Sequence, residues 1–301
     1  MKLRDTFKRI TPDSIRKYLL QARFALRLPT SSLRVLPDFL LIGTMRGGTS
    51  SLFKYLSSHP VVIPSLRKEI WYFSNDKYYQ KGEKWYRAHF PTGLYKHCLE
   101  SLRGRNVLTF EASANYLYSP HAPELIKKTV PEARFIVMLR NPVERLYSHY
   151  QYNFRRGVEK RSLVEILEHI SLHLHSGGPV MVQEAENTRA IENPFQYFSI
   201  GLYEQHLQNW LAHFPLEKFL VLQSEDFFSN TAEAYNQVLR FLELSEWKPA
   251  EFRNYSYWGN RRVKEKSQSA MESIQRERVS EWYMSYNEQL YRLIGRRFQW
   301  N

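Results

Sequence analysis

Gly43 and Gly48 bracket the residues of this sequence best placed to do chemistry, Thr44-Met45-Arg46-Gly47. An apolar run, Phe39 to Ile42, leads into them as a buried strand, and Ser51-Leu52-Phe53-Lys54-Tyr55-Leu56 leads away as a helix. Strand, glycine-rich turn and helix N-terminus together bind phosphate or sulfate, because free backbone N–H groups and the helix dipole converge on an anion. The glycine spacing matches the first six positions of the phosphate-binding pattern G-x-x-x-x-G-K-S/T. Thr49 stands where that pattern needs lysine, and the nearest cation is Arg46, inside the loop. This speaks against an ATPase or kinase. It leaves an anion cradle made by the amides of Gly47, Gly48, Thr49 and Ser50, with a purely structural tight turn as the alternative.

A second segment repeats the logic. Phe135 to Leu139 reads as another buried strand, Arg140 sits at its end, and Asn141-Pro142 break the strand and open a helix that carries Ser148. In open α/β sheets ligands bind at the carboxyl ends of strands. An arginine there can clamp a terminal phosphate with two parallel hydrogen bonds, and a serine hydroxyl can add a third.

Arg46-Gly47-Gly48-Thr49-Ser50 after a strand resembles the 5′-phosphosulfate loop of sulfotransferases that use 3′-phosphoadenylyl sulfate (PAPS), in particular the heparan sulfate and related carbohydrate O-sulfotransferases. Arg140 and Ser148 are similar to that family's 3′-phosphate motif. Arg67-Lys68-Glu69-Ile70-Trp71 resembles the segment that supplies the proposed general base, a role the resemblance gives to Glu69, with Lys68 holding it ionised or neutralising sulfuryl oxygens. A solvated Lys-Glu pair on a strand edge is the plain alternative. Two departures stand out: Trp71 replaces a frequent histidine, and Ala112, beside Glu111, replaces an active-site lysine. The cation that helps the leaving phosphate must then be Arg46 or Lys68, while Glu111 orients a catalytic group, contacts the acceptor or is structural. The ending Gly295-Arg296-Arg297-Phe298-Gln299-Trp300 is also similar, and it places Lys264, Lys266 and Ser267 in the family's basic loop over the adenosine 3′-phosphate. The resemblance runs from Pro37 to the C-terminus. It implies PAPS as donor, adenosine 3′,5′-bisphosphate as product, a hydroxyl acceptor on a saccharide, and no metal.

The supporting elements read as βαβ. Helical patterns at Leu52–Leu56, Glu124–Val130, Leu163–Leu174, Tyr203–Phe214, Tyr235–Phe241 and Gln275–Ile294 alternate with apolar strands, among them Phe219–Leu222. The expected fold is therefore one α/β P-loop-like domain, residues 37–301, with a mainly parallel central sheet flanked by helices, preceded by a basic extension, residues 1–36. That extension interleaves apolar and basic residues, so it either lies on an anionic membrane surface or packs on the domain. No apolar run approaches the roughly 18–20 residues that span a bilayer. With a single cysteine, Cys98, the chain suits a reducing cytoplasm and the soluble, bacterial type rather than the membrane-anchored Golgi type.

A net charge of +13 raises nucleic acid as a partner, but no nucleic-acid-binding motif accompanies it. A doubly phosphorylated donor and an acidic saccharide account for part of that charge. Trp71, Tyr72, Tyr78, Tyr79, Trp85 and Tyr86 are either sugar-stacking or core residues. His169, His173 and His175 have partial metal spacing without the Glu of a zinc motif. Arg155–Asn193 is where acceptor specificity is expected. The rival functions are an atypical P-loop kinase or NTPase and a non-enzymatic polyanion-binding protein.

Overall fold

The computed structural model describes residues 12–177, 193–255 and 273–300. Five strands, β1 (Phe39–Gly43), β2 (Val62–Pro64), β3 (Leu108–Ala112), β4 (Arg134–Leu139) and β5 (Phe219–Gln223), form one sheet in the order β2-β3-β1-β4-β5, and every pairing is parallel. The helices used below are α1 (Asp13–Arg27), α2 (Thr49–Leu56), α3 (Gly93–Arg103), α4 (Ala122–Thr129), α5 (Pro142–Arg155), α6 (Leu163–His175), α7 (Tyr203–Leu211), α8 (Ser224–Ser229), α9 (Thr231–Phe241) and α10 (Ser273–Ile294). Among the described residues no helix is long and apolar enough to cross a membrane.

The continuous apolar runs at β1 and β4 follow from burial on both faces, which is the rule for parallel sheets. Side chains alternate. Leu40, Ile42, Phe135, Val137 and Leu139 meet α4, α7 and α10 through Ile126, Trp210 and Leu290. Phe39, Leu41, Ile136 and Met138 meet α2 and α9 through Leu52, Leu56, Tyr235 and Val238. A third cluster, with Leu146, Tyr150, Ile166, Ile170 and Tyr283, fixes α5 against α6 and α10.

Strand order sets the location of the site. After β1 the chain moves to one side of the sheet, towards β2, and after β4 it moves to the other, towards β5. The carboxyl ends of these two paired strands thus form the switch point where doubly wound sheets bind ligands. The loop with Arg46 and the Arg140 corner are both there.

α1 packs on the domain through Phe24, whose ring lies 5.6 Å from Trp85 and 4.7 Å from His89. Arg27 and Arg34 both donate to the Phe90 carbonyl. Of the aromatic residues offered above for sugar stacking, Tyr72 and Tyr86 are instead buried in the core, and Tyr78 and Trp85 stack on each other at 5.4 Å.

Trp210 joins sheet and site. It is fully buried, and its Nε1 donates to the Leu117 carbonyl at 3.1 Å; a Cβ on Gly43 would come within 2.6 Å of that of Leu117. Trp210→Phe leaves this carbonyl unpaired and part of the ring volume empty. It should cost about 2–4 kcal/mol, read as a lower urea midpoint at unchanged m-value.

Candidate active site

The loop after β1 is tied to β4. The Thr44 amide continues the sheet pairing by donating to the Met138 carbonyl at 2.8 Å. Gly47 passes so close to the same carbonyl that a Cβ there would sit 2.6 Å from it. Its own amide donates to the Thr44 carbonyl at 3.0 Å, so Gly47 contributes room to the turn and its N–H is already engaged. Gly48 caps α2 at φ 101°, a left-handed value that glycine adopts without strain. The amides of Thr49 and Ser50 begin α2 and have no carbonyl within the helix to bond.

Arg46, at φ 71°, turns its side chain towards α5. Its Nε donates to Ser148 Oγ at 3.0 Å, and its guanidinium lies 5.1 Å from the centre of the Tyr152 ring. Arg140 reaches the same place from the end of β4, donating Nη1 to the Arg46 carbonyl at 3.3 Å. The backbone at Arg140 is fixed: Tyr203 donates its hydroxyl to the Arg140 carbonyl at 2.8 Å, and Glu225 accepts the Asn141 amide at 2.9 Å. Asn141 then caps α5 by accepting from Val143 N at 2.9 Å, with Pro142 in the first turn.

Burial, followed by the nearby Arg140 charge, lowers the Arg46 pKa to about 10, with Tyr152 acting in the opposite direction. Arg46 is still a full cation at neutral pH. Among the described residues no carboxylate pairs with it, while Glu144 lies 3.8 Å from Arg140 and is also bonded by Arg276. Two guanidiniums held together beside a helix N-terminus make a site for a multiply charged anion.

Glu69 forms the facing wall. Glu69 and Trp71 both take left-handed φ values, 60° and 61°. Two anchors hold that backbone: Glu69 N donates to Ala112 O at 2.8 Å, and Trp71 N to Ser113 Oγ at 3.2 Å. Glu69 Oε2 accepts from Trp71 Nε1 at 2.9 Å and from Ala114 N at 3.1 Å, and Lys68 Nζ donates to Oε1. These residues, with Arg46, Ser50, Arg140, Ser148 and Tyr152, line one cavity of about 960 Å³.

Residues 36–299 match the family model described as the sulfotransferase domain. The chain belongs to the sulfotransferase family. Heparan sulfate glucosamine 3-O-sulfotransferase 6 of Mus musculus is 32% identical over 211 residues, 70% of this chain and 53% of the mouse protein. Bifunctional heparan sulfate N-deacetylase/N-sulfotransferase 1 of Caenorhabditis elegans is 28% identical over 227 residues, 73% of this chain. This chain spans 24% of that relative's length. A solved sulfotransferase from Alicyclobacillus acidocaldarius shares the fold at a TM-score of 0.62 and 24% identity, covering 88% of this chain and 98% of that one.

The structure of this sulfotransferase brings Arg46, Gly48, Thr49, Ser50, Lys68, Glu69, Arg140 and Ser148 to one cavity, with Gly47 behind it. Lys264, Lys266 and Ser267 lie outside the described residues, as does part of the Arg155–Asn193 segment expected to select acceptors. The His173 ring lies 4.0 Å from that of Phe195, tilted against it, and His175 Nδ1 bonds to the Ser171 carbonyl at 2.7 Å. Trp71, read above only as a departure from the family, is a hydrogen-bond partner of Glu69.

The sequence reading missed Tyr152 and Arg156, whose guanidinium lies 5.0 Å from the centre of the Tyr152 ring and also bonds the phenol. The signal was present. Arg140, Glu144, Ser148, Tyr152 and Arg156 recur every four residues and all line the cavity, Glu144, Ser148 and Tyr152 as one stripe of α5 and the two arginines just outside its ends.

Glu111 needs a correction. It is fully buried, so contact with an acceptor is excluded. The hydroxyls of Tyr86 and Tyr116 are its polar neighbours, yet neither carboxyl oxygen has a hydrogen-bond partner among the described residues. Burial, reinforced by the Glu69 charge, pushes its pKa to about 8 against the tyrosines and Arg67. The folded state therefore holds a proton that the unfolded state gives up near 4.5, and stability falls as pH rises from 4.5 towards 8. Glu111→Gln should match wild type in unfolding free energy near pH 4.5 and exceed it increasingly up to about pH 8. The plateau above that pH is on the order of 5 kcal/mol. A difference independent of pH would contradict a neutral Glu111.

Proposed function

We propose that this chain moves a sulfuryl group from PAPS to a hydroxyl of a carbohydrate. The observation that carries the reading is the convergence of Arg46, Arg140 and Ser148 on the N-terminus of α2 at the switch point of the sheet. It is an anion site that uses two arginines where a nucleotide kinase uses a loop lysine. The heparan sulfate sulfotransferases among the relatives support a saccharide acceptor.

Thr49 and Ser50 amides, with that of Gly48, hold the 5′-phosphosulfate, and Arg140 and Ser148 hold the 3′-phosphate. The acceptor enters beside Trp71, where Glu69 faces the donor loop. Glu69 takes the hydroxyl proton as the acceptor oxygen bonds to sulfur. The bond from sulfur to the bridging phosphate oxygen breaks, and adenosine 3′,5′-bisphosphate leaves with the electron pair. Arg46 neutralises the charge growing on that oxygen; with a pKa near 10 it remains a cation and does not give up a proton. Ala114 N, Trp71 Nε1 and Lys68 keep Glu69 aimed, so positioning and fixed charge drive the displacement.

Calorimetric titration tests the donor site. Adenosine 3′,5′-bisphosphate should bind without metal at micromolar Kd or tighter, and Arg140→Ala should weaken it by about tenfold or more. Binding of ATP with Mg²⁺ in its place would identify an atypical kinase or NTPase. The base is tested separately. Glu69→Gln should retain bisphosphate affinity and lose on the order of 10²–10⁴ in turnover; weakened bisphosphate binding in that variant would remove Glu69 from the role.

A further inference from the structure

The apolar stripe of α1 faces away from the protein. Ile15, Tyr18, Leu19 and Leu26 are 49%, 70%, 41% and 79% exposed. With Ala22 they occupy positions i, i+3, i+4, i+7 and i+11, one side of a helix. The opposite side, with Phe24 and Arg27, does the docking on Trp85, His89 and Phe90. The exposed apolar surface extends past the helix end through Leu28 and Leu33.

Charge distinguishes the possible occupants of this surface. Residues 1–36 hold nine lysines and arginines against two aspartates. Pairing with a second copy of the chain would bring these cations against their equivalents, with too few carboxylates to offset them. A surface rich in anionic headgroups satisfies both the stripe and its flanks. We propose that α1 seats this protein on an anionic lipid surface, with Tyr18, Leu19 and Leu26 among the headgroups and Arg23, on the flank of the stripe, on their phosphates. The chain from α1 enters β1 at Phe39, while the donor loop leaves the other end of that strand after Gly43. Lipid binding and nucleotide binding are therefore separable.

Flotation of the full chain tests this with phosphatidylcholine vesicles that contain or lack phosphatidylglycerol. Wild type should float with the anionic vesicles, remain behind with the neutral ones, and be released as salt rises. Arg23→Glu should lower the partition coefficient at least fivefold, at roughly fivefold per cation removed. Leu19→Ser/Leu26→Ser should lower it by a similar factor, because two exposed apolar side chains no longer insert. Both variants should keep the wild-type unfolding temperature and bisphosphate affinity. No flotation of wild type, or equal flotation on neutral vesicles, overturns the proposal. So does a concentration-dependent dimer abolished by Leu19→Ser/Leu26→Ser, which would make the stripe a contact between copies.

Discussion

The carbonyl of Met138 is the fixed point of the site. It accepts the Thr44 amide at 2.8 Å and leaves no space for a side chain on Gly47. The loop after β1 is thereby locked to β4 two residues before Arg140, so the two halves of the anion site move as one piece. That lock requires parallel pairing of β1 and β4 at the centre of the sheet, and the pairing requires apolar cover on both faces. Close packing of Leu40, Ile42, Phe135 and Val137 on one side and Leu41, Ile136 and Met138 on the other is thus what positions Arg46 against Arg140.

Bringing two guanidiniums together works against stability: the Arg46 pKa is lowered first by burial and then by the Arg140 charge. The surroundings moderate the repulsion without cancelling it. Glu144 sits near Arg140 but is shared with Arg276, and the π face of Tyr152 meets Arg46. His149, buried beside Arg145 and Arg46, has its pKa driven well down and adds no further charge at neutral pH. The deficit is one that a ligand with several negative charges fills, and binding free energy is then drawn from relief of a strained arrangement of charge already present in the fold.

The parts legible in the sequence were those written in consecutive residues. Phe39–Ile42 and Phe135–Leu139 announced buried strands because both faces are covered, and Asn141-Pro142 announced the start of α5 through cap chemistry. Arg46, Arg140 and Ser148 followed because each lies at a strand end or one helical face beyond it. What stayed hidden depends on distance in space. Nothing local shows that Gly47 lies under Met138, that Trp71 bonds Glu69, or that Tyr72 and Tyr86 fill the core while Trp71 lines the cavity. The alternation of basic and apolar residues in α1 left its orientation open, since either side of such a helix can be buried. Phe24, opposite the longer apolar stripe, is the side that packs.

Glu69 and Glu111 show how two carboxyl groups on one stretch of structure come to sit in opposite surroundings. The Glu69 backbone is bonded to Ala112, next in sequence to Glu111, so the end of β3 carries both. Glu69 is supplied with two N–H donors and an ammonium, which hold its carboxyl group in place. Glu111 has no hydrogen-bond partner among the described residues and lies wholly inside an aromatic layer, where burial outweighs the help that Tyr116, Tyr86 and Arg67 give its ionised form. The charge on Glu69 in turn makes ionisation of Glu111 harder still. Of the two, Glu69 is therefore the one that opens to the cavity and faces the donor loop, while Glu111 stays behind it in the core.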